Sequence, residues 1–189
     1  PKRDWSSDVC SSDLPTALSS LNFPADRATA NQVTVKLGTN GALQVFNLAG
    51  TTDVTVDAVG YYRSGSGLGY TPLPMTRVLD SRSATSLGGY ATPWGAAVTR
   101  TVQFTGRGGI PAGAAAVTGN LVTVNTTAAS TLLAWPAGAA RPTATTTAFP
   151  AGSINAGAFT AKLSTAGAAS VRNAAGSTDV LGDVTGYYR

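Results

Sequence analysis

The sequence predicts an all-β protein: an antiparallel β-sandwich of jelly-roll type, present as one complete copy preceded by the C-terminal part of another. Three observations predict it. Charged residues make up only 12% of 189 positions, while Gly, Ala, Thr, Val and Ser dominate, a composition suited to short strands and turns rather than Glu/Lys/Leu helices. Apolar and polar residues alternate with period two in short runs bounded by Gly, Pro, Asn and Asp. The chain also repeats itself at a spacing of about 126 residues, the size of a domain rather than of a solenoid unit. FPADRATANQVTVKLGTNGALQVFNLAGTTDVTVDAVGYYR (23–63) aligns without a gap on FPAGSINAGAFTAKLSTAGAASVRNAAGSTDVLGDVTGYYR (149–189), with about half of the positions identical.

Taken in chain order, the first element is not part of the fold. Residues 4–14, DWSSDVCSSDL, resemble the translation of a short-read sequencing adapter, so 1–14 are set apart as an adapter-derived artefact. That stretch contains Cys10, and without it the sequence has no thiol for a disulfide, a metal or a nucleophile. Residues 15–63 are expected to be the C-terminal part of a first module. There Val33, Val35 and Leu37 share one face and Val54, Val56 and Ala58 share another, and the breaks at 38–41 and 48–51 are expected to be hairpin turns of an antiparallel meander.

SGSGLGYTPLP (64–74) reads as a linker, flexible at its Gly/Ser start and extended at its prolines. Residues 75–189 are then the complete second module. Its expected strands lie at 77–81, 97–104, 115–124, 131–135 and 143–149, followed by those of the repeated ending, which makes eight short strands in all. No helix is expected, because Ala-rich stretches such as 111–117 are broken by Pro and Gly.

Composition also narrows the function. The chain has no His and no Glu, which removes the commonest general base and leaves Asp as the sole carboxylate side chain. Its net charge of +4 comes mostly from arginines scattered singly, without the clustered basic stripe or interleaved aromatics of a nucleic-acid binder. Every apolar run is interrupted well short of a bilayer's width. No membrane span and no nucleic-acid partner are expected.

The motifs of the complete copy occur in a recognisable order: Arg77-Val78-Leu79-Asp80-Ser81-Arg82, Gly88-Gly89, Gly109-Ile110-Pro111-Ala112, the strand 116–125, Leu132-Leu133-Ala134-Trp135-Pro136-Ala137-Gly138, 142–149, and the closing 179–188. In this order they resemble a β-module with RVLDTR, GIPA, WPxG and DVxGYF motifs, repeated in secreted and cell-surface proteins of bacteria. The resemblance implies an extracellular or cell-surface location and a non-catalytic accessory role beside other domains. Two positions depart from the pattern: Gly182 stands where the first copy has Val56, and Ala148 where it has Asn22.

Arg77, Asp80 and Arg82 open the complete module, and Asp179 and Asp183 lie near its end, matched by Asp53 and Asp57 in the first copy. First and last strands often adjoin in a sandwich, so an arginine is expected to fork onto one of the later carboxylates and clasp the module's ends. A calcium site is the competing reading, but two carboxylates are too few for it and no Asp-x-Asp-x-Asp loop is present. No catalytic, metal or cofactor site is assigned. Period two places Asp179, Leu181, Asp183, Thr185 and Tyr187 on one strand face, opposite Val180, Val184 and Tyr188.

Trp94, Trp135, Tyr187 and Tyr188 are candidates for stacking on sugar rings, with Trp94, in a Pro/Gly-rich loop, expected to be the most exposed. The leading expectation is a tandem module acting as a structural spacer or cell-surface adhesion accessory, with neighbouring modules of its own chain as partners. The second is a carbohydrate-binding module for cell-wall or other extracellular polysaccharide. The third, a hydrolase, lacks two carboxylates facing each other across a cleft.

Overall fold

A strand with one apolar face must lay that face against another sheet, and the alternating runs of the second module do so. The computed structural model describes residues 19–189; the adapter-like stretch 4–14, and the expectation placed on it, lie outside them. Its strands are β1 (Tyr70–Asp80), β2 (Thr99–Gln103), β3 (Ala116–Val124), β4 (Ser130–Pro136), β5 (Thr147–Phe149), β6 (Asn155–Lys162), β7 (Ala168–Asn173) and β8 (Asp179–Tyr188). They form two four-stranded antiparallel sheets, ordered β1-β8-β3-β6 and β2-β7-β4-β5. The pairs β1–β8, β2–β7, β3–β6 and β4–β5 are those of one long hairpin, and β3–β8 and β4–β7 form as it winds into a jelly roll.

β3 shows why the pattern folds this way: its burial alternates along its whole length, with Val117, Leu121 and Thr123 fully buried and Thr118 and Asn120 turned outward. Facing it across the sandwich are Val102, Leu132 and Val171, and the Phe104 and Phe159 rings meet at 6.2 Å. Each such side chain contributes about 1.5–3 kcal/mol on burial. Among the described residues no helix is long and apolar enough to cross a membrane.

Three expectations are corrected. β1 begins at Tyr70, inside the stretch read as linker, with Tyr70 opposite Tyr188. Its Pro72 and Pro74 are tolerated because β1 is an edge strand.

Strict period two fails in β8. Thr118 pairs with Gly186 but Gly119 with Val184, so a bulge at Thr185 switches the faces. Tyr187 therefore packs on the core with Val184, while Tyr188 joins Asp183 on the outer face, against Tyr70.

Residues 19–69 contain no strand, only a 3₁₀ turn at Thr39–Gly41, and Val33, Val35, Leu37, Val54 and Val56 are exposed. The topology supplies the reason. Every sheet pairing in the complete copy joins one of β1–β4 to one of β5–β8. Residues 23–63 align on the second set alone, and those strands never bond to one another. The expected meander of hairpins fails for the same reason, since the turns between β6, β7 and β8 cross from sheet to sheet.

Candidate functional site

The most highly structured polar cluster sits where β1 ends beside β8. Arg77 and Asp183 are direct cross-strand partners. The guanidinium forks onto the carboxylate, Nε donating to Oδ1 at 2.8 Å and Nη2 to Oδ2 at 3.0 Å. Bidentate geometry of this kind fixes orientation as well as charge. Asp80, only 1% exposed, lies under the chain that follows it. Its carboxylate accepts the Arg82 backbone N–H at 3.1 Å, Arg82 Nε at 3.0 Å and Nη2 at 2.7 Å, and the Thr85 hydroxyl at 2.9 Å. The short turn Ser83–Thr85 exists to bring Thr85 back onto it, and Asp80 and Leu87 close the loop with reciprocal backbone bonds.

The Arg82 hydrogen bond, helped by the Arg82 N–H and Thr85, draws the Asp80 acid down from its ordinary 3.8 to about 2, against the opposing effect of burial. Asp183 in turn raises Arg77, chiefly through their hydrogen bond. Asp179 takes no arginine. Ser81 Oγ donates to its Oδ1 at 2.9 Å and Asn125 Nδ2 to its Oδ2 at 2.8 Å, while the Val180 N–H donates to Ser81 Oγ. Asp53 and Asp57 lie exposed in the strandless segment. Among the described residues no three carboxylates gather as a metal site would require.

This geometry predicts an acid limb. Because the folded acid titrates lower than the unfolded one, Asp80 contributes its full stability above about pH 5 and loses it as pH falls toward 2. With both arginines partly solvated, that limb amounts to about 1–2 kcal/mol. Asp80→Asn is expected to be about 2 kcal/mol less stable at pH 7 and to have a flatter stability profile between pH 5 and 2. Urea midpoints across that range measure both.

The aromatic candidates divide. Trp94 is fully buried, contrary to its expected exposure: its Nε1 donates to the Val171 carbonyl at 3.1 Å, and its backbone pairs in both directions with Thr178. Trp135 is also buried, with Nε1 bonded to the Ala139 carbonyl. Neither ring offers a face to a ligand. Tyr188 does border a shallow outer cleft of about 370 Å³, together with Tyr70, Tyr62, Thr118, Asn120 and Thr160. Its hydroxyl bonds that of Tyr62, and burial, followed by that bond, pushes the phenol up to about 12.

Sequence reasoning missed several participants: Ser81, Thr85 and Asn125 in the charged cluster, Tyr70 in the cleft, and Asn173. The Asn173 amide is buried and donates to the carbonyls of Trp94, Gly95 and Gly176. One signal could have found Asn173, its identity with Asn47 in the repeat. No protein-family model matches the chain, and no curated protein matches it significantly.

Proposed function

We propose that the chain is a non-catalytic extracellular module, a structural spacer or cell-surface accessory that works beside other domains. The observation that carries this reading is the use to which its carboxylates are put. Asp183 and Asp80 are held by arginines, and Asp179 by Ser81 and Asn125. The Arg77–Asp183 and Ser81–Asp179 bonds tie the first strand of the module to the last. A general base or nucleophile needs a carboxylate facing a cleft and free to take a substrate's proton, and both oxygens of each of these carboxylates already accept bonds within the clasp. The ordered motifs shared with secreted bacterial modules support the location.

The test is a panel of ester, glycoside and peptide substrates together with pull-downs on peptidoglycan and soluble polysaccharides, using the full chain. No turnover and no retention are expected. Turnover that Asp183→Asn abolishes would overturn the reading in favour of a hydrolase.

A second reading, carbohydrate binding, draws on one observation: the outer cleft joins tyrosine rings to the hydroxyl and amide groups of Thr118, Asn120 and Thr160. Such a mixture suits a neutral sugar. Retention on a polysaccharide that is lost in Tyr70→Ala and Tyr188→Ala would favour it.

A further inference from the structure

The segment 23–63 has the sequence of β5–β8 but not their strands, and its local geometry is already that of the module. Three turn positions match their repeat counterparts in left-handed backbone: Asp26 (φ 58°) with Gly152 (63°), Gly41 (71°) with Gly167 (77°), and Gly50 (70°) with Gly176 (59°). Their hydrogen bonds match as well. Gly38 N–H donates to the Ala42 carbonyl at 2.8 Å, as Ser164 N–H does to Ala168 at 2.9 Å. Asn47 Nδ2 donates to the Gly50 carbonyl at 3.0 Å, as Asn173 Nδ2 does to Gly176 at 3.1 Å. The turns are set, while the strands between them have no partner.

The pairing rule of the fold says what is missing. Strands β5–β8 bond only to β1–β4, so a second β5–β8 sequence is satisfied only by a second β1–β4. The segment keeps the groups by which such a half recognises it: Asp57 where Asp183 meets Arg77, Asp53 where Asp179 meets Ser81 and Asn125, and Asn47 where Asn173 spans the Trp94 loop. Its apolar positions Val45 and Val54, both more than half exposed, correspond to Val171 and Val180, both buried. A row of such residues left in water marks an interaction surface.

We propose that residues 23–63 are a preset strand donor for the β1–β4 half of a like module, one with arginine and serine in the places of Arg77 and Ser81. The inference does not depend on the proposed function, since it concerns strand pairing and not a ligand.

The test supplies that half. Residues 70–145 are repeated directly ahead of Ser20 of the chain, a join that keeps the repeat spacing. Amide hydrogen exchange is read on 23–63, with 149–189 as the internal standard. In the chain as it stands, 23–63 is expected to exchange freely. The added half is expected to slow that segment by about 100-fold or more. Asp57→Ala and Asn47→Ala should each remove about tenfold of the new protection and leave 149–189 unchanged.

Free exchange of 23–63 with the added half overturns the proposal, as does protection already present in the chain alone. Loss of protection at 149–189 also overturns it, because the added half would then prefer the strands already in place.

Discussion

Replacing Trp94 with alanine is expected to lower the stability of the sandwich by about 3–5 kcal/mol. The ring is fully buried in the core cluster, although it comes from a loop rather than a strand. It meets Tyr90 edge-on at 5.3 Å, and the Arg100 guanidinium lies 4.4 Å from its centre, each a favourable contact beyond simple burial. Arg100 in turn donates to the Thr92 and Pro93 carbonyls, so ring, cation and loop backbone brace one another. Truncation empties a tryptophan-sized volume and removes the indole N–H from the Val171 carbonyl. Little secondary structure lies between β1 and β2 to close the gap. Trp94→Phe keeps most of the volume and is expected to cost about half as much. Urea unfolding measures both, and a loss below about 1 kcal/mol for the alanine variant would mean that the loop collapses freely and the ring is not a core element.

The burial of Trp94 also marks where sequence reasoning stops. Its neighbours Pro93 and Gly95 are honest signs of a loop, and a loop is what forms, but its burial is decided by Thr178 and Val171, more than seventy residues away. Local pattern succeeded where pairing preserves it. The run expected at 115–124 is β3, Ala116–Val124, because alternation holds through a strand bonded on both sides. It failed at the end of β8, where a face assignment carried through Gly186 missed the bulge beside it and exchanged Tyr187 with Tyr188. Glycine in a strand was the available warning.

The clasp was legible in part, because Arg77 and Asp183 occupy the first and last strands of a closed topology. The bonds from Ser81 and Asn125 to Asp179 were not, since neither residue type advertises a partner. Residues 23–63 give the sharpest lesson. Alternation names the face a strand would bury, but only the strand order reveals that its partners all lie in the other half of the module.

That closed pairing makes β3 intolerant at one position, and Gly119→Ala is expected to cost about 3 kcal/mol or more. Gly119 lies opposite Val184, at the register shift between β3 and β8. A methyl group there would fall well inside van der Waals contact of the Asp183 carbonyl oxygen and 2.9 Å from both the Asp183 carbonyl carbon and the Val184 Cα. All three are backbone atoms, so no rotamer change relieves the clash. Nor is β8 free to move away, because it is bonded to β1 on its other edge and Arg77 grips the Asp183 side chain. Two comparisons separate this from a general dislike of replacing glycine. Gly182→Ala meets side chains alone, the Leu79 Cβ at 3.2 Å and Leu121 Cδ2 at 3.9 Å, and should cost about 1 kcal/mol. Gly60→Ala has no atom within 4 Å and should stay within about 0.5 kcal/mol of the parent. Denaturation midpoints that rank the three otherwise, with Gly119→Ala among the mild ones, would show that the β3–β8 register can slide by a residue and that the bulge is not fixed by close backbone approach.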